Sequence, residues 1–134
     1  MSASVRSAPG APAVGWSGAR TVTIDRSKEG GGMGLGFNGG ELLLLALAAC
    51  FTNDLHREAR RRGIELRSVH VDASATFPAE GAPGEDVRYD VEVDAAASEA
   101  EVRALVEATD KVAEIHNTLR VATLVKLGRV LVKH

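Results

Sequence analysis

Ten consecutive residues, Leu42 to Phe51 (LLLLALAACF), hold no polar side chain other than the Cys50 thiol. Gly63 closes the helical pattern that they begin, with Asn53–Arg62 as a charged second half. A helix whose first half is apolar on every side must be surrounded, so Gly40–Arg62 is expected as a core helix with a solvated tail. The run is well short of the about 20 residues that span a bilayer, which excludes a membrane helix.

Seven glycines between Arg26 and Gly40 precede this helix, and no strand or helix interior tolerates so many. Gly34-x-Gly36-x-x-Gly39 matches the spelling of a dinucleotide-binding loop. That reading needs a strand directly before the glycines and a buried parallel strand after the helix. Instead, about nine residues of loop separate the preceding strand from Gly34. The later strands alternate as half-exposed antiparallel strands do. The glycines are therefore read as a tight turn into the helix.

Val69, Val71, Ala73, Ala75 and Phe77 alternate with polar residues, and Val87, Tyr89, Val91 and Val93 repeat the pattern after a Pro/Gly loop. This predicts an antiparallel hairpin with one buried face. Trp16-Ser-Gly18 and Arg20–Asp25 suggest two short strands around a turn. Ser98-Glu-Ala-Glu101 spells a capping box, and Val102, Leu105, Val106, Thr109 and Val112 follow at helical spacing. Residues 114–126 fit either helix or strand, and Arg129–Lys133 is expected as a final strand. Residues 1–12 are expected as a flexible tail and 13–134 as one domain, with no internal repeat.

The 134 residues carry a formal charge of −2 and five aromatics, which gives neither a pull toward nucleic acid or anionic membrane nor a stacking platform. One cysteine excludes an internal disulfide and multi-cysteine metal sites, and His56, His70 and His134 show no ligand spacing. No metal and no cofactor are assigned. Met1–Pro12 lacks an apolar signal segment, so a soluble cytoplasmic protein is the expectation. A free cysteine in an apolar helix is either a small core residue or a reactive thiol. At 100° per residue, Asn53, Asp54 and Arg57 share the face of Cys50. Arg57 would favour a thiolate and Asp54 would oppose it. Arg57 belongs to a basic cluster with Arg60–Arg62 that suits a helix C-terminus. His116, before Asn117, reads as a proton shuttle or as a polar residue at a cap.

Glu41-Leu-Leu-Leu-Leu-Ala-Leu-Ala-Ala-Cys50-Phe51, with the helix tail to Gly63-Ile64, resembles the OsmC/Ohr family of osmotically induced and organic-hydroperoxide-resistance proteins. The order of elements is also similar, over about residues 13–134. The resemblance implies an α+β fold with antiparallel sheets around a long central cysteine-bearing helix, assembled as an intertwined homodimer. It implies that Cys50 reduces organic hydroperoxides through a sulfenic acid, with Arg20 and Glu41 as the family's arginine–glutamate pair. Catalytic candidates are thus Cys50, Arg20 and Glu41, and binding candidates Arg57, His116 and Asn117.

The sequence departs from the family where a second cysteine resolves the sulfenic acid. The matching stretch is Ala113-Glu-Ile-His116-Asn117-Thr-Leu119, with Ala113 in the place of that thiol. Gly40 occupies the glutamate position of the hydroperoxide-resistance branch, and Glu41 matches the OsmC-like branch. On a regular helix Glu41 lies opposite Cys50, so an irregular helix start or a partner subunit would have to bring them together. Two functions follow as expectations. One is a one-cysteine hydroperoxide reductase recycled by an external thiol, with Arg20 or Arg57 favouring the thiolate. The other is a non-catalytic OsmC-fold protein that binds a small molecule or is purely structural.

Overall fold

The computed structural model describes residues 1–132 and is α+β. Strands β1 (Ser4–Ala8), β2 (Ala11–Ser17) and β3 (Arg20–Ile24) precede helix α1 (Gly39–Arg62). Strands β4 (Leu66–Thr76) and β5 (Glu85–Ala95), then helices α2 (Glu99–Val112) and α3 (Glu114–Arg120), complete the described elements. Two compact units result, Met1–Ala46 with Ala73–Arg88, and Leu47–Asp72 with the chain from Tyr89 onward.

The first unit holds an antiparallel sheet in the order β1-β2-β3. Its register pairs Ser4 with Trp16 and Ser17 with Arg20. Residues 1–12, expected as a flexible tail, instead supply β1 and the start of β2. Their small and β-branched side chains present a pairing edge to Ala11–Ser17, and the backbone amides are satisfied there.

The glycine loop folds onto the end of β3. One Asp25 carboxylate oxygen accepts the Arg26 N–H at 2.8 Å, and the other accepts those of Met33 and Leu35 at 3.1 and 3.0 Å. These amide bonds, led by that of Leu35, hold the Asp25 carboxyl below the usual range. Phe37 N–H reaches the Thr23 carbonyl at 3.0 Å and the Asp25 N–H returns to the Phe37 carbonyl at 3.0 Å. Gly36 is required by this approach, because a Cβ there would lie 2.5 Å from the Thr23 oxygen. The Arg26, Met33 and Leu35 amides are thus turned inward onto Asp25, in keeping with a turn.

Helix α1 opens on a reciprocal cap. Glu41 N–H donates to the Asn38 side-chain oxygen and Asn38 N–H donates to the Glu41 carboxylate, each at 2.9 Å. It closes as the Gly63 pattern predicts. Gly63 has φ +67, with bonds from Gly63 N–H to Arg60 and from Ile64 N–H to Ala59.

Burial along α1 follows one face through both halves, instead of circling the first and leaving the second in solvent. Leu43 and Leu45 are exposed, whereas Leu47, Phe51, Asp54, Leu55 and Ala59 are buried. The core of the second unit joins Phe51, Leu55 and Ala59, at i, i+4 and i+8, to Leu105 and Ala113. Val69, Val71, Tyr89, Val91, Val93 and Val106 pack around them. A single small chain covers one face of the helix, so the apolar circumference of its first half stays uncovered.

The β4–β5 pair forms the second antiparallel sheet. Its partly buried residues, Val69, Val71, Ala73 and Ala75 on β4 and Tyr89, Val91 and Val93 on β5, follow the period of two read from the sequence. The capping box of α2 forms as spelled, with Ser98 and Glu101 each holding the other's N–H. The ambiguous segment resolves as α3. The final strand is not found among the described residues, and 123–132 take no regular structure. Val125 and Leu127 are 92% and 90% exposed. A strand forms only beside another that completes its hydrogen bonds, and this one has no such neighbour among the described residues. Lys133 and His134 lie outside them.

Gly36→Ala is expected to destabilise the fold by about 1–3 kcal/mol, because the new methyl group overlaps the Thr23 carbonyl rather than a movable side chain. Thermal denaturation followed by circular dichroism measures this, and an unchanged midpoint would contradict the packing described for the loop.

Candidate functional site

Cys50 sits one turn before Asp54 on α1, which places the thiol and the carboxylate on one face. Its sulfur lies 3.6 Å from Asp54 Oδ2 and 3.9 Å from Glu114 Oε2. Glu114 arrives from the first residue of α3, and the neighbouring Ile115 backbone N–H points at the same sulfur. One oxygen each of Asp54 and Glu114 lie within 4.8 Å of one another, and the two carboxyl groups perturb each other in opposite directions, Asp54 upward and Glu114 downward. Burial, to 5% exposure, is what holds the Asp54 carboxyl above its ordinary range despite Arg57. Glu114 is exposed and its carboxyl is held low, first by its own backbone N–H and then by Asp54.

This environment keeps the thiol protonated. Burial pushes the Cys50 thiol up first, the Ile115 N–H opposes, and the charges of Asp54 and Glu114 add to the rise. Arg57 does not act on the sulfur as expected. Its guanidinium is held by Asp54 at 2.6 Å and by Glu58 at 3.2 Å. Its positive charge is thereby given to the carboxylates.

Arg20 and Glu41 belong to the first unit. Arg20 begins β3 opposite Ser17, and the Glu41 carboxylate caps α1. His116 is buried at 3% exposure, with its ring 5.8 Å from that of Phe51 and edge-on to Tyr89 at 4.6 Å. Neither ring nitrogen has a hydrogen-bond partner. The Asn117 amide donates to the Lys111 carbonyl at 3.0 Å and its oxygen accepts from Arg120. A second polar group, not foreseen from the sequence, lies beside His116. Asp110 accepts the Tyr89 hydroxyl and pairs with Arg120 at 2.6 Å.

Glu114 was missed because 64 residues separate it from Cys50. The one available signal was its place next to Ala113, where the family's second thiol is expected. The sequence assigned no metal, yet the fold gathers Cys50 Sγ and one oxygen each of Asp54 and Glu114 within 4.8 Å of one another. A divalent cation would fit such a donor set by type. The Arg57 guanidinium, 2.6 Å from Asp54, offsets part of the trio's negative charge.

The sequence matches the family model described as OsmC-like protein over residues 30–128. A structure described as an OsmC-like protein from Mycoplasma pneumoniae superposes with a TM-score of 0.77 at 21% identity, covering 89% of this chain and 86% of the other. An organic hydroperoxide resistance protein from Legionella pneumophila gives 0.61 at 21% identity, covering 88% and 87%. One from Elizabethkingia anophelis also gives 0.61 at 21%, covering 88% and 86%. No curated protein sequence is significantly similar to the chain. No helix among the described residues is long and apolar enough to cross a membrane.

Replacing Asp54 with Asn removes a carboxylate from beside the sulfur. The Cys50 thiol pKa is expected to fall, read from thiolate absorbance near 240 nm against pH, with Cys50→Ser as the blank. A rise would mean that the carboxylates do not set the thiol's protonation.

Proposed function

The chain belongs to the OsmC-like protein family, and from that premise we propose that it reduces organic hydroperoxides through Cys50 as a one-cysteine, thiol-dependent enzyme. The observation that carries this reading is the contact of the thiol with two carboxyl groups, those of Asp54 and Glu114. In the proposed step the Cys50 sulfur attacks the terminal peroxide oxygen. An S–O bond forms, the O–O bond breaks, and sulfur loses the two electrons that the peroxide gains. The thiol proton passes to Glu114 while Asp54 delivers its own to the departing alkoxide, giving Cys50 sulfenic acid and an alcohol. Two molecules of an external small thiol then restore Cys50, yielding a disulfide and water.

Arg57 has a positioning role, orienting Asp54. Arg20 and Glu41 remain catalytic candidates as the family's arginine–glutamate pair. An intertwined homodimer is part of the proposal, supported by the exposed Leu43 and Leu45 and by the exposed apolar run from Leu124 to Val132. The family match runs through both compact units, which supports 13–134 as one domain. The cytoplasm, whose thiol pool keeps a lone cysteine reduced, suits this chemistry.

The alternative, a non-catalytic OsmC-fold protein, is favoured by Ala113 in the resolving position and by a thiol held protonated. Asp54→Asn separates the two. If Asp54 relays protons, the variant should form sulfenic acid about 10²-fold more slowly with cumene hydroperoxide, despite its lower thiol pKa. Trapping and mass spectrometry read the rate. A faster variant would remove Asp54 from the chemistry, and an unmodified wild-type Cys50 in folded protein would leave the non-catalytic reading.

Assembly is tested separately. Sedimentation at micromolar concentration should show a dimer, with an interface above about 2,000 Å² in a crystal; a folded monomer would refute it.

A further inference from the structure

Helix α3 is seven residues long, and its N-cap Ala113 offers no side-chain bond. Helices that short do not persist alone in water, so α3 depends on what holds it to the second unit. Three anchors do so: the Arg120–Asp110 ion pair, the Asn117 bond to Lys111, and the buried ring of His116. The third differs in kind. His116 is packed against Phe51 and Tyr89 with both nitrogens unpartnered, an arrangement that accepts a neutral ring and penalises a charged one.

The charged and titratable groups around His116 come from four elements. Asp54 stands on α1, Tyr89 on β5, Asp110 on α2, and Glu114 and Arg120 on α3 itself. Asp110 holds the Tyr89 hydroxyl and the Arg120 guanidinium on its Oδ1 and makes no hydrogen bond to either His116 nitrogen. Asp54 is already engaged by Arg57 and Glu114. The same short helix carries Glu114 and the Ile115 N–H to the Cys50 sulfur, so His116 and the thiol share one movable support.

We infer that α3 is an acid-released cover over Cys50: a proton on His116 undocks the helix, withdraws Glu114 and the Ile115 N–H, and opens the thiol. Burial first, and then Arg120, hold the His116 imidazole below its ordinary 6.5. The released helix therefore binds a proton that the docked one excludes. Docking is at full strength above about pH 6.5 and weakens as pH falls below it, because the undocked state then binds more protons. The inference concerns access to the thiol and holds whether or not Cys50 reduces peroxides.

The test uses 4,4′-dithiodipyridine, which reports thiol access in acid, with each rate divided by that of N-acetylcysteine at the same pH. Between pH 7.5 and 5 the normalised Cys50 rate should rise about tenfold in the wild type. It should stay flat in His116→Phe, which keeps both carboxylates and the aromatic packing. An equal rise in that variant would assign the effect to Asp54 and Glu114 and overturn the inference, as would a flat wild-type profile. Should His116→Phe fail to fold, hydrogen exchange on the wild type decides. Protection of the α3 amides must fall over this range while β4 and β5 keep theirs, and unchanged α3 protection would overturn the inference.

Discussion

Phe51 and Leu55 fix everything in the second unit that has chemical interest. Both side chains are fully buried, one turn apart on α1, and they are packed with Leu105 and Ala113. Full burial of two such residues stabilises the docked helix by roughly 3–6 kcal/mol. It also sets the rotation of α1 about its own axis. With Phe51 and Leu55 facing inward, Cys50 and Asp54, one residue before each, face the seam along which α3 arrives. Ala113 is in the same core, and the next residue is Glu114. The contact between thiol and carboxylate is thus a by-product of apolar packing immediately beside it.

That placement creates a tension in the site. A nucleophilic sulfur is favoured by nearby positive charge, whereas this one is flanked by acids. The single guanidinium at hand is bound to the acids rather than to the sulfur. Such an arrangement keeps the thiol in its less reactive form and surrounds it with groups that can accept and return a proton. It suits slow, proton-coupled chemistry better than a standing thiolate, and it leaves the sulfur inert toward casual oxidation.

Local signals in the sequence were legible where they were physically local. The Ser98–Glu101 box, the Gly63 stop and the alternation through β4 and β5 rest on contacts between near neighbours, and each formed where it was spelled. Asp54 was readable as an opponent of thiolate formation because it lies one turn from Cys50. Glu114 was not, since only the folded core brings its helix alongside. The strand expected at Arg129–Lys133 failed for a related reason: apolarity shows what wants cover, and does not show which chain supplies it. The tail at residues 1–12 was misjudged because Ser, Ala and Gly read as loose until a pairing edge is known.

Asp25 organises the glycine loop through one side chain. Its two oxygens gather amides from residues 26, 33 and 35, and the Thr23–Phe37 bonds close the base. The shape of the loop is therefore fixed at its neck, and its tip, from Ser27 to Gly31, turns on its own short-range bonds. Lengthening a connection of that kind adds only about 0.6 kcal/mol of closure entropy for each doubling. Relatives of this chain can therefore differ widely in the number and kind of residues at that tip while entering the cysteine helix at the same angle, provided that the aspartate and the glycine facing Thr23 stay.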